Sequence, residues 1–171
     1  MKSLGATNDD LMTASTSVAI HHLRVIISRQ VLEVLENREE TSSLIASYPI
    51  SSSKFGLGTE PGSYKTPLGK FFIAEKFGEG EPESMIFEAR KATGMIAPLG
   101  GEQDYVLTRI LWLSGLEPHN ANTHDRFIYI HGTNQENLLG TPASHGCIRL
   151  RNTDIIELFD LVKESDRVEI V

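Results

Sequence analysis

Apolar residues recur with a period of two over most of this 171-residue chain. Leu23, Val25 and Ile27 fall two apart, which predicts one face of a strand. After Ser28 and Arg29, residues 31–35 read as its hairpin partner, Asn37-Arg38-Glu39-Glu40 as a polar turn, and Leu44, Ala46, Tyr48 and Ile50 as one face of a third strand. Thr66-Pro67-Leu68-Gly69 predicts a turn, because proline presets φ and glycine tolerates positive φ. A fourth strand follows over residues 70–77, with Phe71 and Ile73 inward. Residues 105–113 predict another, with Val106, Thr108, Ile110 and Trp112 on one face. Residues 127–130 read as a buried strand, 148–150 as a short one and 168–171 as the last.

The period lengthens once. Ile155, Leu158, Phe159 and Val162 fall at i, i+3, i+4 and i+7, so a helix lays one face on the sheet, with Asn152 as its cap and Asp154 in its first turn. The expected fold is mainly β, a curved or barrel-like mixed sheet with a C-terminal helix packed on it. Between the strands, residues 51–65 form a glycine-containing loop that lacks the GxxxxGK[ST] phosphate cradle. Residues 79–101 read as a long surface excursion, and residues 118–125 as a polar loop whose His119 and His124 are solvated. Residues 1–20 lack any apolar period and read as a flexible tail, leaving residues 21–171 as one domain.

Charge narrows the partners. A net charge of -7 with no cluster of lysine or arginine argues against nucleic acid. No stretch approaches the ~18 apolar residues of a membrane span. No basic start followed by an apolar run marks an export signal, so the expected location is the cytoplasm, or the cell envelope or periplasm if the chain is cut from a longer precursor. The single cysteine excludes an internal disulfide. No oligomeric state is legible.

The candidate chemistry is concentrated in two segments, Ile130-His131-Gly132-Thr133-Asn134 and Ser144-His145-Gly146-Cys147-Ile148-Arg149-Leu150. A thiol attacks as the thiolate, and reaching that state at neutral pH takes a nearby base or cation. His131 and His145 both qualify, and one of them is the general base and acid. The thiol is then expected to be alkylated well below pH 8. Gly146 allows a sharp turn and a close approach to the amides of Gly146 and Cys147 as an oxyanion hole. Three other readings stand beside this one. Cys147 is a small buried hydrophobe, or a zinc ligand with both histidines although no paired ligand spacing is present, or the glycines are plain turn residues.

These residues carry a resemblance. His131-Gly132-Thr133-Asn134, a loop, then Ser144-His145-Gly146-Cys147-Ile148-Arg149 is similar to the signature of the L,D-transpeptidase catalytic domain, or YkuD family. Thr66-Pro67-Leu68-Gly69-Lys70-Phe71 resembles its TPxGxF segment, and Asn152-Thr153-Asp154 with the following helix its C-terminal end. The resemblance implies that Cys147 is the nucleophile and His131 its proton acceptor and donor, with the Gly132 carbonyl orienting the His131 ring. It implies that the amides of His145, Gly146 and Cys147 hold the oxyanion. Arg149 then contacts a substrate carboxylate or anchors a loop, and Ser144 and Thr133 line the substrate site. No cofactor or metal is implied. The implied substrate is a peptidoglycan stem peptide or muropeptide, attacked at the carbonyl between its third residue and the terminal D-alanine to give a thioester. An amine acceptor then makes a cross-link. Water makes the chain an L,D-carboxypeptidase, which a cytosolic location would favour.

Overall fold

The computed structural model describes residues 19–38 and 41–171. Ten strands and one α-helix alternate as β1 (Ile20–Ile26), β2 (Val31–Arg38), β3 (Thr41–Pro49), β4 (Gly69–Phe77), β5 (Met85–Glu88), β6 (Lys91–Ile96), β7 (Val106–Gly115), β8 (Tyr129–Gly132), β9 (Ile148–Leu150), α1 (Asn152–Leu161) and β10 (Arg167–Ile170). All ten strands belong to one sheet. The polar tail expected over residues 1–20 lies outside the described residues up to residue 18, and Ile20 already opens β1.

The order β3-β2-β1-β10-β4-β7 forms the body of the sheet. β1 and β10 pair in parallel, as do β8 and β9, and the other pairs are antiparallel, so the sheet is mixed. β7 is the junction. Along one edge it pairs with β4 and then with β5; along the other it pairs with β8, which carries β9 beyond it. The free edge of β9 meets the chain just past β3, where the amides and carbonyls of Ser51 and Arg149 exchange hydrogen bonds of 3.0 Å. The sheet therefore curves back onto its own start, and this closure gives the barrel-like form.

Leu23, Val25, Leu32, Phe71, Ile73 and Val168 from the strands meet Ile155, Leu158, Phe159 and Val162 of the helical segment in one core. Burying each large aliphatic side chain contributes about 1.5–3 kcal/mol. Among the described residues no helix is long and apolar enough to cross a membrane.

Several local expectations differ from the structure. The excursion over residues 79–101 is a hairpin of β5 and β6, turned at Ala89 and Arg90 with φ of 46° and 64°. β6 is mostly exposed and gives no alternating burial for the sequence to show. Leu44 stands exposed because β2 and β3 run past the core beyond a bulge at Val34 and Leu35. Phe127 lies before β8 with φ of 56°. In β7 a register shift between Leu107 and Ile110, with Thr108 at φ 71°, turns Thr108 away from the face shared by Val106, Ile110 and Trp112.

Asn152 is the first helical residue and does not cap. Its Nδ2 donates to Thr133 O at 2.8 Å and to Glu136 Oε1 at 2.9 Å, while its Oδ1 accepts from the Thr108 hydroxyl. The helix N-terminus is met by Glu136, whose Oε1 accepts the Asn152 amide at 2.9 Å. A carboxylate there complements the positive end of the helix dipole.

Candidate active site

His131 sits near the end of β8, and Cys147 lies immediately before β9. The parallel register pairs Ile130 with Ile148 and His131 with Arg149, which brings Cys147 alongside Tyr129. The two rigid strands thus deliver thiol and imidazole to one open cleft of about 460 Å³, lined also by Glu102, Asp104, Ser144 and His145.

The His131 ring is almost fully buried. Its Nδ1 lies 2.7 Å from the Gly132 carbonyl oxygen. A carbonyl only accepts, so Nδ1 carries the hydrogen and the neutral ring keeps its lone pair on Nε2. Burial lowers the His131 pKa below its ordinary 6.5, against the carbonyl bond and the charge of Asp104, with Arg149 adding to the lowering. At neutral pH the imidazole is uncharged. Gly132 is needed here for space, since a Cβ would stand 2.9 Å from the Leu107 carbonyl oxygen and 2.5 Å from Asn152 Oδ1.

Cys147 is half-buried beside Ile110, Trp112 and Tyr129. Its Sγ accepts from the Tyr129 amide at 3.3 Å and donates to the Phe127 carbonyl at 3.4 Å. Burial pushes the thiol up to about 11, the Tyr129 amide opposing. Burial thus works against alkylation well below pH 8. It disfavours the charged form of both groups, thiol and imidazole alike.

The turn before the thiol is tightly determined. Gly146 has φ of 124°, which L side chains rarely adopt. Ser144 donates its hydroxyl to Cys147 O at 2.6 Å and accepts the Gly146 amide at 3.3 Å. Thr66, from the turn before β4, accepts the Ser53 amide at 3.0 Å and donates to Gly146 O at 2.9 Å. Of the three amides expected to hold an oxyanion, Gly146's is thus shared with Ser144.

The expected site residues separate into two groups. His131, Ser144, His145 and Cys147 line the cleft. His145 is exposed and its Nδ1 lies 3.5 Å from Asp104 Oδ2. Thr133 is fully buried and accepts the Gln135 amide at 3.1 Å, so it shapes a turn and is not among the residues that line this cleft. Arg149 is also fully buried. It donates to Asp104 Oδ1 at 2.8 Å, Gln135 Oε1 at 2.7 Å and Ser51 Oγ at 3.0 Å. Of the two roles expected for it, the geometry fits the loop anchor, and a substrate carboxylate has no access to it.

Asp104 and Asn134 were not singled out as site residues. Asn134 donates to the carbonyls of Gly100 and Gln103 at 2.8 Å each, and its Oδ1 accepts the Tyr105 amide at 3.2 Å. It pins the segment that carries Asp104 to the wall of the cleft. Asn134 stood in the quoted motif, but its neighbour in space is distant in sequence.

A thiol and an imidazole with a free Nε2 thus stand at adjacent strand ends, on one cleft of a curved sheet that carries a single α-helix among the described residues. The chain belongs to the L,D-transpeptidase catalytic domain family, YkuD, whose model matches residues 20–170. The Bacillus subtilis family member YkuD is 30% identical over 151 residues, which is 88% of this chain and 65% of that protein. The Escherichia coli family member YbiS is 48% identical over 46 residues, 27% of this chain and 15% of that protein. Among solved structures, an L,D-transpeptidase from Mycobacterium smegmatis has a TM-score of 0.57 at 17% identity, covering 90% of this chain and 59% of that one. One from Xylanimonas cellulosilytica has a TM-score of 0.54 at 17% identity, covering 91% and 62%. The fold is shared with both, and the chain spans less than two thirds of the length of each of these relatives.

Proposed function

We propose that the chain is a cysteine acyltransferase of peptidoglycan stem peptides, acting through a thioester on Cys147. The observation that carries this reading is the placement of the Cys147 thiol and the buried His131 ring on one cleft, with Nε2 of His131 left as the free acceptor by the bond from Nδ1 to Gly132. His131 removes the thiol proton through Nε2 as sulfur attacks the carbonyl, in general-base fashion. The same proton goes to the departing nitrogen, and the C–N bond breaks. The amides of His145 and Cys147, with that of Gly146 released from Ser144, are the donors for the oxyanion.

The acceptor decides the product. An amine on another stem gives an L,D-transpeptidase, the reading that family membership supports; water gives an L,D-carboxypeptidase with the same acyl-enzyme half. The test is incubation of the protein and its Cys147→Ala variant with a tetrapeptide muropeptide, with and without an amine acceptor, followed by mass analysis. A dimer or amine-exchanged product that requires Cys147 is the expected result. Tripeptide and D-alanine alone would establish the hydrolase, and turnover by the Cys147→Ala variant would overturn both.

A further inference from the structure

Arg149 is closed to ligands, yet the reaction read for Cys147 has a carboxylate close to the bond that breaks. The departing terminal residue is an α-amino acid, with its nitrogen at the scissile bond and a free carboxylate one carbon away. A free α-amino acid that replaces it has the same pattern. A cation on the leaving side of the thiol would meet both.

Arg126 stands near the thiol, each within reach of the other's charge. It directly precedes Phe127, whose carbonyl accepts the Cys147 thiol. Its guanidinium is fixed by neutral acceptors, with Nη1 donating to Gly58 O at 3.2 Å and Nη2 to Ser63 Oγ at 3.3 Å and Lys65 O at 2.8 Å. No described carboxylate forms an ion pair with it; Glu60, the acid whose charge reaches it, lies 3.7 Å from Lys65 Nζ. Arg126 lines a second groove of about 270 Å³ together with Tyr64, Asp125, Phe127 and His145. His145 also lines the Cys147 cleft, so the two hollows adjoin at that residue. Tyr64 and Phe127 hold the walls in left-handed backbone, with φ of 58° and 56°. Such conformations persist where surrounding structure determines them and cluster at ligand sites. Arg90, the other cation near Phe127, lies over the Trp112 and Phe127 rings, donates to the Tyr129 hydroxyl and lines neither hollow.

We propose that this groove is the leaving-group and acceptor site, in which Arg126 receives the carboxylate of an α-amino acid whose nitrogen lies at Cys147. The inference rests on the acyl-transfer reading above. In acylation the S–C bond forms, the C–N bond breaks, and the thiol proton passes through His131 to the leaving nitrogen. In the return step the incoming amine forms C–N, the C–S bond breaks, and the amine proton returns to sulfur by the same ring. One carboxylate site serves both directions.

The test begins without turnover. Cys147→Ala protein is titrated calorimetrically with a tetrapeptide ending in a free carboxylate and with its C-terminal amide. The acid is expected to bind on the order of ten- to a hundredfold tighter, the range of a hydrogen bond to a charged group. Adding Arg126→Gln should bring the acid down to the level of the amide, and Arg126→Lys should recover part of the difference. Equal binding of acid and amide, no binding of either, or an equal loss of both in Arg126→Gln would overturn the proposal, the last by reducing Arg126 to a clamp on the 58–65 loop. In the Cys147 protein, D-alanine is then expected to exchange faster than D-alaninamide, a preference that Arg126→Gln abolishes; exchange blind to the carboxylate would overturn the acceptor half. Failure of turnover with the binding preference intact would instead count against the acyl-transfer reading.

Discussion

Asp104 Oδ1 lies 2.8 Å from Nη1 of Arg149, a guanidinium with no exposure to solvent. The pair joins the segment before β7 to the strand that follows the nucleophile, and Gln135 and Ser51 complete the shell. Removing one partner of a buried pair leaves the other charge uncompensated. Asp104→Ala is therefore expected to destabilise the fold by about 3 kcal/mol, the low end of the 3–5 expected for such a loss, because two neutral acceptors remain. Urea denaturation checks this, and a change below about 0.5 kcal/mol would show that the carboxylate is dispensable.

The Nδ1 bond to Gly132 makes His131 a base only while the ring is neutral. Turnover should fall on the acid side with a midpoint below 6.5, the direction in which burial moves this ring. His131→Ala should lower kcat by about 10²–10⁴-fold, the usual contribution of a positioned base. The same shift has a stability consequence. The unfolded chain binds the His131 proton more readily than the folded one, so stability is lost as pH falls below 6.5. Thermal melts from pH 8 to pH 5 would read it, and a flat profile would contradict it.

For the free thiol the expectation runs the other way. Without substrate, iodoacetamide alkylation of Cys147 should keep rising through pH 9 toward the elevated value of about 11. A plateau below pH 8 would mean that the resting state is a thiolate–imidazolium pair. In linkage terms the raised thiol contributes stability below pH 9, and this is lost as pH rises toward 11.

Thr66→Val removes the hydroxyl that accepts the Ser53 amide and donates to Gly146 O. Leaving these buried groups unpaired should cost about 1–3 kcal/mol. Because Gly146 lies beside the thiol, turnover should fall further than stability accounts for. Comparison of kcat at a temperature well below the melting point separates the two effects.

Strands with one buried face were legible in the sequence. Leu23 and Val25 flank Arg24, and Phe71 and Ile73 fall two apart on one buried face, while the helix announced itself through Ile155, Leu158 and Phe159. The β5–β6 hairpin was not legible, since β6 has scarcely any buried side chain to set a period. Thr108 was misplaced because one left-handed residue shifts the ladder, which no local pattern records. In the site, Cys147 and His131 stood out by residue type. The roles of Thr133 and Arg149 did not, because polar side chains quoted from a motif look alike whether they face a ligand or a buried carboxylate. Thr66 and Asp104 act on the cleft through partners remote in the chain, and spacing carries no information about those.

The bond between Ser51 and Arg149 ties two positions 98 residues apart. β9 is three residues long and has β8 on one side and the chain after β3 on the other. The strand that follows the nucleophile is thus an insert between the first third of the chain and the last. A fragment beginning at residue 60 would contain Cys147, His131, Arg126 and Asp104, every side chain the chemistry uses, and still leave Arg149 without Ser51 and β9 with an open edge. Assembly of the cleft consequently waits on the N-terminal strands, which contribute none of its reactive groups. Closing so distant a contact makes completion of the active centre a late and slow event in folding.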